Sequence, residues 1–219
     1  MTEHREERHE RLDFDRELAA IDAKVIELFG MVAEDLPKAT DALLNGNSDA
    51  TRALVERDHI IDAMYPTIEE VADREILLQQ PVASDLRLLI SVLRVVPELE
   101  RSHDLIVDIA HRGSFALSQQ LSPRARGLIE HMGSLATDMW NQAIKCWCER
   151  DRSAAAVLAE RDDEMDQMYA SLMAELASGG MTLPVTMELT LVARFYERLA
   201  DHAFNIARRV IYLAGRAPG

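Results

Sequence analysis

The sequence predicts an all-α protein built as two tandem three-helix bundles, with six long helices related by an internal duplication. Three observations carry that expectation. Glycine and proline are scarce, at 9 and 7 of 219 residues. Apolar residues recur three and four positions apart over long stretches, without the alternation of a strand. Short motifs of the first half also return in the second, at a period too long for a solenoid repeat.

Five breaks delimit the six helices. The first falls at Asn45-Gly46-Asn47-Ser48 and the second near Gln80-Pro81, both rich in turn-forming residues. The third runs from Gly113 to Ser122, where Ser122-Pro123 reads as an N-cap followed by a first-turn proline and opens a new half. The fourth lies around Glu149 to Arg152 and the fifth at Gly179-Gly180. Pro37, Pro66 and Pro97 sit inside the first three helical patterns, where each is expected to kink or shorten its helix. Residues 12–113 then form the first bundle and 122–214 the second, after a charged tail, 1–11, expected to be disordered.

The duplication appears in two alignments. Glu56-Arg57-Asp58-His59-Ile60-Ile61-Asp62-Ala63-Met64-Tyr65 matches Glu160 to Tyr169 at an offset of 104, with six of ten residues shared. Glu100-Arg101-Ser102-His103-Asp104 matches Glu197-Arg198-Leu199-Ala200-Asp201 at an offset of 97, which implies a connection seven residues shorter in the second half.

Charge narrows the function classes. Lys plus Arg total 24 against 38 Asp plus Glu, a net charge of −14 that repels nucleic acid and anionic membranes and favours cations or basic partners. The most apolar run, Leu86 to Val96, contains Arg87 and Arg94 and falls short of the roughly 18 residues of a membrane span. The acidic and basic opening residues give no secretion signal, so a cytoplasmic protein is expected. Cys146 and Cys148 read as reduced, structural thiols. Trp140 and Trp147, seven apart, read as core or interface residues of the fourth helix.

The repeated motifs carry the candidate chemistry. Each half has two carboxylate pairs spaced i, i+4: Asp58 with Asp62 and Glu100 with Asp104, then Asp162 with Asp166 and Glu197 with Asp201. Such pairs share a helix face. Two of them converging from neighbouring helices repel unless protonated or bridged by a cation, and all-oxygen ligation suits magnesium, calcium, manganese or iron. A solvated acidic face is the competing reading, because a chain this acidic yields about six or seven such spacings by chance. Recurrence at matching places in both halves favours the metal. Laid out at 100° per residue, the last helix buries Met187, Leu191, Phe195, Leu199, Ile206 and Val210 on one side and an alanine stripe from Ala193 on another. Glu197, Asp201, Arg194 and Arg208 are left at the surface. His103 and His202 adjoin the pairs but point away from them, and read as packing or surface residues. Glu100-x-x-His103 has no second copy, since Ala200 follows Glu197, which disfavours a di-iron oxidase. No phosphate-cradling glycine loop, Ser/His/Asp signature or zinc spacing is present.

Phe195-Tyr196-Glu197-Arg198-Leu199-Ala200-Asp201-His202-Ala203-Phe204-Asn205-Ile206-Ala207-Arg208-Arg209 resembles the second signature helix of PhoU-type proteins. Gln79 to Arg87 resembles the run before the first signature helix, and Asp58, Asp62, Asp162 and Asp166 fit the second-helix positions, so the similarity spans about Leu12 to Leu213. The resemblance implies two three-helix bundles and multinuclear clusters of divalent or trivalent metal ions on the paired motifs. It also implies a non-enzymatic regulator of phosphate uptake, linking the phosphate ABC transporter to a sensor histidine kinase at the inner membrane face and repressing the phosphate-starvation response. A homodimer is expected. Iron, manganese and magnesium all remain open. The chain departs from the family pattern where Ile-Gly is usual, with Ser102-His103 in the first half and Leu199-Ala200 in the second, and has Asp108 opposite Asn205. The two halves are therefore expected to bind metal unequally. A metal-dependent phosphohydrolase or metal-storage bundle, and a helical module without metal, stand as alternatives.

Overall fold

A computed structural model describes residues 3–113 and 115–215, with side chains from Arg11 onward except those of Phe115 and Ala154. Its helices run α1 (Glu3–Asn45), α2 (Ser48–Gln79), α3 (Ala83–His111), α4 (Phe115–Ser118), α5 (Pro123–Glu149), α6 (Ala154–Ala177) and α7 (Leu183–Leu213). Among the described residues there are thus six long helices plus α4, a single turn within the break expected from Gly113 to Ser122, and no strand. The side chains of the tail expected to be disordered fall outside the described set up to residue 10, and α1 itself begins at Glu3.

Local chemistry explains the boundaries. Asn47 caps α2 by accepting from the Ala50 amide at 3.1 Å, and Ser122 caps α5 by accepting from the Ala125 amide at 3.0 Å, with Pro123 just inside. Gly46 and Gly179 take φ of 68° and 80° after α1 and α6, a conformation in which a β-carbon is strained. Pro37, Pro66 and Pro97 do not shorten their helices, which continue for two turns or more past each. Burial of the apolar face holds the helix through the proline, where local propensity alone would end it.

α1, α2 and α3 form one bundle and α5, α6 and α7 the other; the bundles meet along α1 with α5 and α3 with α7. The α1–α5 seam is the centre of the core. Phe29 sits against both Trp140 and Trp147, with ring centroids 6.2 Å and 5.8 Å apart, and all three are fully buried. Trp147 Nε1 donates to Asp22 Oδ1 at 2.8 Å, and Arg150 Nη2 donates to the other Asp22 oxygen at 2.7 Å, whereas the buried Trp140 Nε1 has no partner among the described residues. Further along, α1 and α5 approach so closely that a β-carbon on Gly133 would lie 2.5 Å from Thr40 Oγ1. That hydroxyl is in turn 2.8 Å from the buried Tyr196 Oη on α7.

Two side-chain expectations need correction. Met187 and Leu191 do not join the buried face of α7: they are exposed, at 60% and 43%, while Val185, Leu189, Val192 and the alanines of the stripe face inward. α7 packs against α3, α5 and α6, and Met187 and Leu191 fall on the side that these helices leave uncovered. Cys146 is buried and donates to the Asp151 carbonyl at 3.1 Å, as a structural thiol would, but Cys148 is exposed. No helix is long and apolar enough to cross a membrane among the described residues.

Candidate metal centre

α2 and α3 lie side by side, so the carboxylates that each displays every fourth residue meet across their contact. Asp58 and Asp62 of α2 and Asp104 of α3 bring carboxylate oxygens within 4.8 Å of one another, close enough to share one cation. Asp58 is half-buried, and Asp62 and Asp104 are exposed, so an ion there would remain open to exchange. Glu100, one turn back on α3, is half-buried beside them. Its carboxyl is held above its ordinary range by burial and then by the charges of Asp104, Asp62 and Asp58. Asp104 is raised by burial and then by Asp58, Asp62 and Asp108. Mutual repulsion on this scale is what a multivalent cation removes.

The second half reproduces the arrangement on α6 and α7, less tightly. Burial, followed by Asp201, Asp166, Asp163 and Glu197, pushes the Asp162 carboxyl up to about 6. Burial also raises Glu197, with Asp201 and Asp166 adding to it, although Arg194 donates to its carboxylate and opposes the shift. Among the described residues, only the set of Asp58, Asp62 and Asp104 places three candidate ligand atoms within 4.8 Å. Glu100, Asp162, Asp166, Glu197 and Asp201 belong to no such triad there.

The difference between the halves has a physical source that the repeat alignment missed. His103 is fully buried and reaches back from α3 to the first cluster: Nδ1 lies 2.7 Å from Asp58 Oδ1 and Nε2 lies 3.1 Å from Asp35 Oδ2 on α1. It is thus a hydrogen-bond partner of the first carboxylate cluster rather than a packing or surface residue. Asp35 is itself buried, with Lys38 Nζ at 2.7 Å and Arg57 Nε at 3.1 Å. Burial alone would raise the Asp35 carboxyl, yet the hydrogen bonds from His103 and Lys38 and the charge of Arg57 hold it below its ordinary value. The result is a relay from Lys38 and Arg57 through Asp35 and His103 to Asp58, which fixes one candidate ligand from behind. The equivalent of His103 is Ala200, so the second cluster has no such support at that position.

Ser102, the other departure from the usual Ile-Gly, joins the two halves. Its hydroxyl donates to the Glu98 carbonyl at 2.5 Å and therefore accepts from His202 Nδ1 on α7 at 2.8 Å. Burial pulls the His202 imidazole below its ordinary range, with Glu98 opposing.

Residues 25–113 and 129–210 each match the PhoU domain. The chain belongs to the PhoU family. It is 32% identical over 209 residues to the phosphate-specific transport system accessory protein PhoU homolog of Pseudomonas aeruginosa, covering 94% of this chain and 86% of that one. With the homolog of Rhizobium meliloti it shares 33% over 207 residues, 92% of this chain and 86% of the relative. The crystal structure of PhoU from Pseudomonas aeruginosa superposes with a TM-score of 0.84 at 32% identity, over 91% of this chain and 98% of the other. That of the phosphate transport system regulatory protein PhoU from Streptococcus pneumoniae gives 0.80 at 28%, over 92% and 97%.

Proposed function

We propose that this PhoU protein is a cytoplasmic, non-catalytic adaptor that represses phosphate uptake and phosphate-starvation signalling, and that metal held by its carboxylate pairs sets the shape of its docking surface. The convergence of Asp58, Asp62 and Asp104 within 4.8 Å is the observation that carries the metal reading. The residues suit the group: an all-carboxylate set with half-buried neighbours whose charges repel each other fits a hard or borderline cation such as magnesium, manganese or iron. Asp58, Asp62, Glu100 and Asp104 would hold it in the first half, and Asp162, Asp166, Glu197 and Asp201 in the second. The ion would supply charge neutralisation, cross-linking α2 to α3 and α6 to α7.

The regulatory role rests on relatives named as accessory and regulatory proteins of phosphate-specific transport. The partners on this reading are the phosphate ABC transporter and a sensor histidine kinase, met at the inner membrane face, with the chain itself a homodimer. A net charge of −14 suits basic docking surfaces on such partners. The test is complementation of a bacterial host that lacks its own PhoU protein, grown with ample phosphate. Wild type is expected to restore repression of phosphate-starvation genes, and the combined Asp104→Asn and Asp201→Asn variant to leave them switched on. Repression by the variant equal to wild type would separate the role from the carboxylates, and phosphate release from a phosphoester by purified wild type, lost in the variant, would point to a hydrolase instead.

A further inference from the structure

The second chemically unusual place in the molecule is basic. An open cleft of about 320 Å³ lies between α3 and α7, on the side of α3 away from the α2 carboxylates, and Arg94, Arg208 and Arg209 line it. In a chain with 38 carboxylates and 24 basic residues, most arginines find an acid. These three form no ion pair among the described residues. Glu98 is the one carboxylate of the cleft, and it is already shared with Arg101 at 3.7 Å and His202 at 3.5 Å.

Two of the guanidinium groups lie over aromatic rings. Arg208 lies 5.7 Å from the Phe204 centroid and Arg209 4.7 Å from that of Tyr212. Stacking satisfies the face of a guanidinium and leaves its N–H edge for an acceptor. Arg209 Nη2 is buried and has no hydrogen-bond partner. Burial and the charge of Arg94 both pull the Arg209 guanidinium below its ordinary pKa, as expected of like charges facing one another. The floor of Val95 and Ile206 is apolar, which strengthens any charge interaction above it, and the Asn205 amide adds a neutral donor at the rim.

We propose that the cleft between α3 and α7 binds a phosphate-type oxyanion, held by Arg94, Arg208 and Arg209. Three cations against one shared carboxylate favour an anion of more than one charge. A tetrahedral oxyanion carries more charge than a carboxylate and presents three or more oxygens in different planes, so it suits forks that approach from two helices. The same chemistry is offered by free inorganic phosphate and by the phosphomonoester headgroup of phosphatidic acid. Because the cleft bridges the two halves of the molecule, its occupant would tie α3 to α7.

The experiment is calorimetric titration of the full chain with inorganic phosphate, in chelator to remove any metal and at constant ionic strength, beside flotation with vesicles containing phosphatidic acid. One phosphate per chain is expected, bound about tenfold or more weakly by Arg209→Gln and by Arg94→Gln and unchanged by the combined Asp58→Asn and Asp104→Asn variant. Vesicle binding alone, lost in both arginine variants, would assign the headgroup as the source. No binding of either probe, or binding that survives both substitutions with helicity intact, would overturn the proposal. Arg94 is exposed, so its variant carries the comparison should Arg209→Gln fail to fold. The chelator makes these outcomes independent of the metal reading.

Discussion

His103 Nδ1 lies 2.7 Å from Asp58 Oδ1 while its Nε2 lies 3.1 Å from Asp35 Oδ2, so one buried imidazole couples a candidate ligand to the interior of the bundle. His103→Ala removes that coupling and leaves Asp35 to Lys38 and Arg57 alone. The expected result is a fall in metal affinity of about 10- to 100-fold, the usual effect of losing a group that orients a ligand. A destabilisation of about 1–3 kcal/mol should accompany it, from the hydrogen bonds lost in a buried site. Metal titration and denaturant unfolding of the same variant measure the two effects, and unchanged affinity would show that Asp58 needs no support from behind.

Mild acidification should relieve the metal-free protein of the repulsion around Asp162. Asp162 titrates at about 6 in the folded chain against an ordinary 3.8, so between those values the folded state binds more protons than the unfolded one. The contribution of this carboxyl therefore falls as pH rises through that window, while the buried His202, held below its ordinary pKa, acts in the opposite sense, so the effect is read by comparing Tm between about pH 5 and pH 7 in chelator for wild type and Asp162→Asn. Asp162→Asn should remove this contribution. With saturating metal the trend should reverse, because protons then compete with the ion for the same oxygens. A Tm profile across this range that is identical in wild type and Asp162→Asn would contradict the crowding of carboxylates on α6 and α7.

Much of this architecture was legible in the sequence, and the exceptions have physical reasons. The repeat of Asp58 and Asp62 in Asp162 and Asp166 located both carboxylate faces, because helical spacing alone decides which side chains share a face. Ser122-Pro123 marked the start of α5 through capping chemistry that acts within four residues. Asp35 left no such signal. It lies on α1, outside both aligned motifs, and its role arises only when α1 brings it within reach of α3. Met187 and Leu191 were misplaced because periodicity fixes a helix's faces but not which face its neighbours cover.

The seam between α1 and α5 depends on the absence of a single side chain. Gly133→Ala would put a β-carbon 2.5 Å from Thr40 Oγ1 and disturb the Thr40 to Tyr196 hydrogen bond. Overpacking of this kind costs about 1–3 kcal/mol despite the better helix propensity of alanine. Gly127→Ala on the same helix is the control: nothing lies within 4 Å of its added β-carbon, and it should be neutral or stabilising by up to about 1 kcal/mol. Thermal melts of the two variants should shift in opposite directions. Equal shifts would mean that the seam relaxes without cost.

The most direct test of the central claim is the metal content of protein purified without a histidine tag or chelator, for wild type and for the combined Asp58→Asn, Asp62→Asn and Asp104→Asn variant. Bound iron, manganese or magnesium in the wild type, strongly reduced in the variant while helicity is retained, is the predicted result. A matching triple variant at Asp162, Asp166 and Asp201 should cost less affinity, since the second half lacks both the close triad and the histidine behind it. Wild-type protein that takes up none of these metals, even after incubation with each, would contradict the account.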